Sequence, residues 1–571
     1  MNSKGSGACA CRNLHFGCNV ATCEQAQYAK WRGNKKSLKQ YRRCATERGC
    51  QTCGCYDIIQ GITEDEEEIE ITIESPDRRL TGGWFLRTRA SENSQHWRHF
   101  DLWQDLATMY QNDSCKAFQP RICQPVQGTY SPQSLGHLEI WLRKCNETHP
   151  RSLKDDIELP TRLLKTTEGE IRVVETEEGV EGRYMTLSHR WGADETFNIT
   201  RELKISYIWI DSLCIIQDDL EDWERESVRM RTIYGNSYLN IAGCHPKDSS
   251  ESLFSLSDLK NRFPTHPVPG REATYIRQQP HMTHTDYGMN YSDFDNQQVL
   301  LSRGWVLQER LLSPRIVYYD ADELKWECNM ALDCQCGGMG VIANFKLDYM
   351  AALEGSDAPR ELSLMWMRTS QRYSCLRLTY DTDRVVALAG IANQASKSGD
   401  GGKYLAGLWE HNLAFQLCWE IVDTYRKAET YLAPSWSWLS VIGSVNFFQM
   451  GLHDNASLAV EVTEAECTTA NNDTGAITGG HLKVKGKWIR LLAKIENLGS
   501  ETTPPTCSYR LVYAETADYV MSAEQAVAIQ DVLVVFWGRF YESRIACLIL
   551  KEHTLVRGSL RGWAYGGMIM E

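Results

Sequence analysis

The chain has 571 residues, a formal net charge of −13 and 42% hydrophobic residues, which predicts a globular protein of two or three structural units. Because no block of lysine and arginine stands out against the 74 acidic residues, the charge pattern argues against binding to nucleic acid or to an anionic membrane surface. No apolar run approaches the roughly 18 residues of a membrane span, and the opening MNSKGSGACACRN lacks the apolar core of a secretory signal, so we expect a cytoplasmic protein.

The first 60 residues are dense in cysteine, although most of the 21 cysteines of the chain are scattered. In a long chain without a leader, we expect most of them to be reduced and buried as small apolar side chains. The weaker alternative is a zinc site, because Cys50 and Cys53 have the two-residue spacing of zinc ligands. The candidate ligands are Cys44, Cys50, Cys53 and Cys55, with a second half-site from Cys9, Cys11, Cys18 and Cys23. Because these spacings are irregular, the preferred interpretation is that no metal is bound.

Residues 1–150 predict a cysteine-rich N-terminal region with a strand and helices. In TEDEEEIEITIESP, Ile69, Ile71 and Ile73 alternate with polar residues, and this period of two favours an amphipathic strand over a disordered acidic tail. The segment QSLGHLEIWLRKC predicts a helix with four apolar residues on one face, namely Leu135, Leu138, Trp141 and Leu142.

Strands and helices alternate from Tyr184 onward. RYMTLSH, YIWIDSLCII and SYLNIAG predict three strands, and the first ends in the turn RWGAD. Before the third strand, DDLEDWERESVRMRTIYGN predicts a helix capped by Asp218 or Asp219, and LLSRGWVLQERLLSPR predicts a later helix closed by Pro314. The apolar face of the earlier helix is predicted to contain Leu220, Trp223, Met230 and Tyr234. This order predicts an α/β fold with a parallel sheet flanked by helices.

The same patterns divide the rest of the chain. Residues 180–315 would form the α/β domain, and residues 316–450 a mixed, mainly helical region. Residues 451–571 would form a β-rich C-terminal unit, because HLKVKGKWIRLLAKI, YRLVYAET and VLVVFWGRF alternate like strands. Residues 193–206 are a short crossover between two strands, with room only for a stub of helix from TFNITRELK.

Three blocks carry a family resemblance: YMTLSHRWG at 184–192, YIWIDSLCIIQDDLEDWERESVRMRTIYGNS at 207–237, and SRGWVLQERLLSPR at 302–315. In this order and spacing they resemble the fungal heterokaryon-incompatibility (HET) domain. ERGCQTC, IWLRKCNETH, YDTDRVVALAGIA and APSWSWLS resemble its usual surroundings, so the resemblance covers most of residues 40–445. Members of that family generally carry a longer insert where residues 193–206 lie, which indicates a deletion or a gene-model error here.

The resemblance implies a role in fungal self/non-self recognition (allorecognition) and programmed cell death, with a protein partner or self-association. The HET domain is also distantly similar to Toll/interleukin-receptor (TIR) domains, some of which cleave NAD, so it implies a TIR-like, flavodoxin-like fold. No cofactor is certain, and NAD is the candidate substrate. Ligands of parallel α/β sheets bind beyond the carboxyl ends of the strands. The candidate binding residues are therefore Ser188, His189, Arg190, Gly192, Asp211 and Trp305.

Individual residues take roles in this hypothesis. Gly192 would let the backbone approach a phosphate, and Arg190 would bind that phosphate in a fork. Glu309, one helical turn after Trp305, matches the position of the catalytic glutamate that follows a tryptophan in TIR enzymes. Trp305 would stack on a ring while Glu309 stabilises the positive charge that develops on the ribose.

Each of these residues also has a structural interpretation. Glu309 would be a solvated or salt-bridged helix residue, and Asp211 would cap the turn after its strand. Trp191 and Trp305 would be core aromatics, and His189 has no partner in the sequence for a proton relay. The sequence thus leaves two functions open, an NAD glycohydrolase and a non-catalytic signalling module.

Overall fold

The computed structural model describes the backbone of thirty strands and nine α-helices, and divides into two compact units. Side chains are described within residues 128–150, 152, 157–166, 171–189, 196–244, 252–255, 299–320, 323–335, 344–354, 360–397, 401–419, 421, 426, 428–447, 461–470 and 476–485, and only backbone in the helix and strand residues outside these ranges. The first unit comprises Met1–Ile208, Tyr238–Asp293 and Pro314–Phe345. The second unit comprises Trp209–Ser237, Phe294–Ser313 and Lys346–Glu571.

The strands follow in chain order. The first nine are β1 (Tyr28–Asn34), β2 (Glu68–Glu74), β3 (Phe85–Arg89), β4 (Arg98–Gln104), β5 (Arg121–Ile122), β6 (Ile157–Glu158), β7 (Arg162–Lys165), β8 (Arg172–Glu175) and β9 (Glu181–Gly182). The next eight are β10 (Tyr184–Ser188), β11 (Tyr207–Trp209), β12 (Leu239–Gly243), β13 (Arg262–Pro264), β14 (Thr274–Gln279), β15 (Arg315–Tyr319), β16 (Leu324–Cys328) and β17 (Leu332–Cys334). The remainder are β18 (Tyr404–Leu405), β19 (Leu408–Trp409), β20 (Trp419–Ile421), β21 (Arg426–Lys427), β22 (Val441–Ile442), β23 (Val445–Phe447), β24 (Ser457–Leu458), β25 (Val460–Thr469), β26 (Ile477–Lys494), β27 (Ile529–Phe540), β28 (Arg544–Leu550), β29 (Thr554–Val556) and β30 (Ala564–Met570).

The described α-helices are α1 (Pro132–Thr148), α2 (Thr196–Glu202), α3 (Asp211–Cys214), α4 (Leu220–Asn236), α5 (Gly304–Leu312), α6 (Phe345–Glu354), α7 (Ala358–Ser374), α8 (Asp383–Ser396) and α9 (Leu413–Gln416). None of the helices in the described part of the chain is both long and apolar enough to cross a membrane.

An eight-stranded sheet in the order β17-β16-β15-β12-β10-β11-β7-β8 forms the α/β core of the first unit. β10, β12 and β15 are parallel to one another and buried at every position, as the apolar strand patterns predict. The sheet is mixed rather than purely parallel, because β16 and β17 on one side and β7 and β8 on the other pair antiparallel. Short connections join these outer strands, and a short connection can only reverse the chain.

The segment YIWIDSLCII is a strand only in its first half, so the prediction of one long strand is wrong. β11 pairs antiparallel with β7, and Asp211 then begins the short helix α3. The Asp211 carboxylate accepts the N–H of Ser212 at 2.7 Å, and its carbonyl oxygen accepts the N–H of Ile215 at 3.1 Å. An aspartate that binds its own backbone in this way competes with strand pairing.

Helix α2 occupies the short crossover with seven residues, as the sequence predicts. α4 begins where predicted, because the Asp219 side chain accepts the N–H groups of Glu221 and Asp222. Met230 and Tyr234 are buried on its inner face. Leu220 is instead 70% exposed, so its assignment to that face is wrong. Asp222 takes an inner position, where its carboxylate accepts the N–H of Ile216 at 2.9 Å.

Helix α1 is confirmed, with Leu138, Trp141 and Leu142 buried and Leu135 half-buried. The acidic segment TEDEEEIEITIESP contains β2, within a seven-stranded sheet of β1–β5, β13 and β14. Another seven-stranded sheet joins β24–β30. The four predicted regions, including the β-rich C-terminal unit, stay predictions.

Helices α4, α5 and α8 pack together in the second unit. The buried Gln308 of α5 accepts the N–H of Gly390 in α8 at 2.8 Å. A Cβ added at Gly390 would collide with this Gln308 amide, so the glycine allows the two helices to approach.

We expect Gly390→Ala to lower the free energy of unfolding by about 1–3 kcal/mol, because the new methyl group displaces a buried, hydrogen-bonded amide. Urea denaturation followed by circular dichroism measures the change. Gly136→Ala in α1 is the matched control, since a Cβ there has no atom within 4 Å. That control should stabilise by roughly 0.5–1 kcal/mol through helix propensity. Equal effects of the two substitutions would contradict the packing argument.

Candidate functional site

Ser188 closes β10 in the first unit, and its hydroxyl belongs to a buried polar group within the sheet. The Ser188 Oγ accepts a hydrogen bond from Nδ2 of Asn240 at 2.9 Å and donates to Oδ1 of the same amide at 3.3 Å. The hydroxyl of Thr186 also donates to that Oδ1, at 3.2 Å. These bonds join β10 to the neighbouring β12, so Ser188 is held by the sheet.

His189 follows directly and is also buried, rather than part of an open polar cluster at the strand end. Arg190, Trp191 and Gly192 lie outside the described residues, and so do Cys44, Cys50, Cys53 and Cys55. The phosphate-binding roles of Arg190 and Gly192 and the N-terminal zinc alternative therefore stay predictions.

Trp305 is half-buried on α5 in the second unit, and both its ring and its N–H group are engaged. The indole Nε1 donates to Oδ2 of Asp383 at 3.0 Å, where α8 begins. The ring meets Trp223 of α4 edge-on, with centroids 6.4 Å apart and planes at 88°. Burial raises the pKa of the Asp383 carboxyl, and the hydrogen bond from Trp305 acts in the opposite direction. Trp305 thus joins three helices through one hydrogen bond and one aromatic contact.

Glu309 lies one turn after Trp305 and is only 5% exposed, so it is not a solvated helix residue, whereas the salt-bridged interpretation stays a prediction. Trp305 is the single residue of α5 that is not buried. The carbonyl oxygen of Glu309 accepts both the N–H and the hydroxyl of Ser313, which ends the helix before Pro314. Burying a carboxylate is costly unless it is hydrogen-bonded. A glutamate at this position therefore has a desolvation cost that an exposed helix residue does not have.

Asp211 begins α3 and remains half-exposed. Its carboxylate accepts the N–H of Ser212 within the first turn of α3, whereas Ile210 occupies the cap position without a side-chain hydrogen bond. Asp211, Trp305 and Glu309 belong to the second unit, whereas Ser188 and His189 belong to the first.

Two residues that bind the candidate site residues were not predicted from the sequence. Asn240 was visible as the one polar residue within LNIAG, but only the parallel register places it opposite Thr186. Asp383 lies in the block YDTDRVVALAGIA, and its proximity to Trp305, 78 residues earlier, is decided by helix packing.

We expect Asp383→Ala to destabilise the protein by about 1–2 kcal/mol, because it leaves the Trp305 N–H without its acceptor. Asp383→Asn keeps an acceptor oxygen and removes a carboxylate that burial disfavours, so it should cost less. The raised pKa of Asp383 means that its contribution is full below the unfolded pKa and is lost as pH rises through the folded value. The free energy of unfolding of the Asn variant relative to that of wild type should therefore increase with pH, as urea titrations at several pH values would measure. In a Trp305→Phe background there is no indole N–H to bind, so the part of the stability difference between the Ala and Asn variants that comes from this hydrogen bond should disappear.

Comparison with known families matches residues 193–309 to the model for heterokaryon incompatibility protein (HET). This match lies within the predicted domain at 180–315 and includes Asp211, Trp305 and Glu309. Comparisons with curated proteins and with solved structures find no match. Residues 193–309 therefore form a heterokaryon-incompatibility domain within this chain.

Proposed function

We propose that this protein acts in fungal self/non-self recognition and programmed cell death, and that its HET domain is a signalling module that contacts a protein partner or a second copy. Family membership supports the biological role. The observation that supports this mode of action is a group of exposed apolar side chains within the domain.

This group lies in the segment that leads into α4. Leu213 is 47% exposed, Ile216 is 45% exposed and Leu220 is 70% exposed, and Val228 on α4 itself is 57% exposed. Single apolar residues at a surface are ordinary, but several within eight residues are typical of an interaction site. The segment also belongs to the second block that carries the family resemblance, and it lies within the HET match at residues 193–309.

The packing of α5 supports the same proposal. Trp305 and Glu309, the two residues that would perform NAD cleavage, lie on a helix with its other residues buried. The Trp305 indole is engaged by Asp383 and Trp223. These contacts account for Trp305 as part of a helical core, and its burial supports the same interpretation for Glu309.

NAD cleavage by a TIR-like domain is the second candidate, and one observation favours it. Glu309 is buried one turn from a half-buried tryptophan that a hydrogen bond holds in place. A carboxylate held rigidly away from solvent is suited to stabilise positive charge on a ribose. The three parallel strands β10, β12 and β15 also support a TIR-like arrangement.

Expression in a fungal host separates the two candidates. We expect Leu213→Asp with Leu220→Asp to abolish toxicity, because a charged surface prevents an apolar contact, and Glu309→Gln to remain toxic. Colony viability and cellular NAD are measured together, and the melting temperature of each purified variant checks folding. Gln is chosen at position 309 because it preserves the volume of a buried side chain.

Ile171→Asp is the matched control, since Ile171 is 43% exposed but lies outside the HET match. It should leave toxicity unchanged. Loss of toxicity and of NAD depletion in a folded Glu309→Gln variant would overturn the non-catalytic proposal in favour of NAD cleavage. A wild-type chain that never affects viability would count against the cell-death role itself.

A further inference from the structure

A cluster of two cysteines and one histidine lies in the first unit, outside the HET match. Cys145 is in the last turn of α1, His149 follows that helix directly, and Cys328 ends β16. The two Sγ atoms and a ring nitrogen of His149 all lie within 4.8 Å of one another. Both thiols are fully buried, whereas the imidazole is half-buried. The spacing of four residues places Cys145 and His149 on one face of the chain as α1 ends.

Rigid elements hold this cluster together. α1 packs against β16, with the rings of Trp141 and Trp326 stacked at 6.1 Å between centroids. The Trp141 indole donates to Oδ2 of Asp333 in β17 at 3.1 Å. Ligands on a helix and a strand that are fixed by such contacts are positioned before any ion binds.

The separation of the side chains fits a tetrahedral zinc ion. Sγ of Cys328 and Nδ1 of His149 are 3.4 Å apart. With Zn–S near 2.3 Å and Zn–N near 2.0–2.1 Å, two ligands at the tetrahedral angle are about 3.6 Å apart. A disulfide between the two thiols would leave His149 unused, whereas zinc uses all three side chains.

We propose that Cys145, His149 and Cys328 bind a zinc ion, in a site separate from the N-terminal cysteines. Two thiolates would neutralise the charge of the ion, and the neutral imidazole would supply the third ligand. Ser152 is buried next to Cys328, so its hydroxyl is the candidate for a fourth ligand. The same hydroxyl accepts the N–H of Asn329 at 3.2 Å, so it is held at the edge of the site.

Arg315 supports the thiolate form of the first ligand. Its Nε donates to Sγ of Cys145 at 3.4 Å, while its terminal nitrogens donate to Oδ1 of Asn146 at 2.7 Å and to the carbonyl oxygen of Tyr238 at 3.2 Å. Donors around a ligating sulfur orient it and stabilise its charge, as outer groups commonly do in metal sites. The cluster thus has three ligands of two types that suit zinc, and a cation that donates to one of the two sulfurs.

Zinc content of the purified full-length protein tests the proposal. We expect the wild-type chain to contain one more zinc ion than Cys328→Ser, as measured by inductively coupled plasma mass spectrometry after removal of loosely bound metal. Cys418→Ser is the matched control, because Cys418 is buried but lies outside the cluster, and it should keep the wild-type content. Cys50→Ser with Cys53→Ser measures any zinc at the N-terminus separately.

Two further measurements do not require the loss of a ligand, and the first uses wild-type protein and so does not depend on the folding of a variant. Cobalt substitution of wild-type protein should give a sulfur-to-metal charge-transfer band and the visible absorption of tetrahedral coordination. Ser152→Cys offers a third thiolate, so it should strengthen the charge-transfer band and slow the loss of metal to a chelator. Wild-type protein without zinc, a Cys328→Ser variant with unchanged zinc, or a disulfide between Cys145 and Cys328 found by mass spectrometry would each overturn the proposal.

Discussion

The buried guanidinium of Arg315 is the contact on which much of the first unit depends. Arg315 begins β15 and is 2% exposed, yet its charge cannot leave water cheaply. It donates to Cys145 and Asn146 of α1 and to the carbonyl oxygen of Tyr238 beside β12, and it lies 4.9 Å from the centre of the Tyr238 ring. Because removing one partner from a buried charge typically costs about 3–5 kcal/mol, these contacts hold one helix and two strands in a single arrangement. The same arrangement brings Cys145 to Cys328.

In the second unit, buried polar side chains hold the helices in one arrangement. Gln308 joins α5 to α8 through the N–H of Gly390, and Trp305 joins the same two helices through Asp383. These bonds are directional, so they fix the rotation of α5 in a way that apolar packing alone does not. Glu309 is carried on this fixed helix. A buried carboxylate suits electrostatic catalysis and core packing alike, so the exposed side chains of Leu213, Ile216 and Leu220 decide which function we propose.

The cysteines illustrate how spacing and proximity differ as evidence. Sequence spacing draws attention to Cys50 and Cys53, two residues that any local conformation keeps near each other. The cluster with two buried thiols instead joins side chains that are 179 residues apart, His149 and Cys328. Two ligands so far apart in the chain cannot be recognised from local spacing. The segment IWLRKCNETH contains the other two-residue part of the cluster, Cys145 and His149. Cys328 lies beside them because β16 pairs with β15 and packs against α1.

Local chemistry was enough to predict a substantial part of this protein. The periodicity of α1, the capping of α4 by Asp219 and the end of α5 before Pro314 depend on residues within a few positions of one another, and the family blocks are contiguous in sequence. Tertiary structure decided the rest, because burial and strand direction depend on partners far along the chain. It made the sheet mixed, exposed Leu220, buried Glu309 and paired Trp305 with Asp383. The sequence by itself therefore determined the heterokaryon-incompatibility domain and most of the local elements. The surroundings of each candidate functional residue depend on contacts between residues far apart in the chain, which local patterns do not contain.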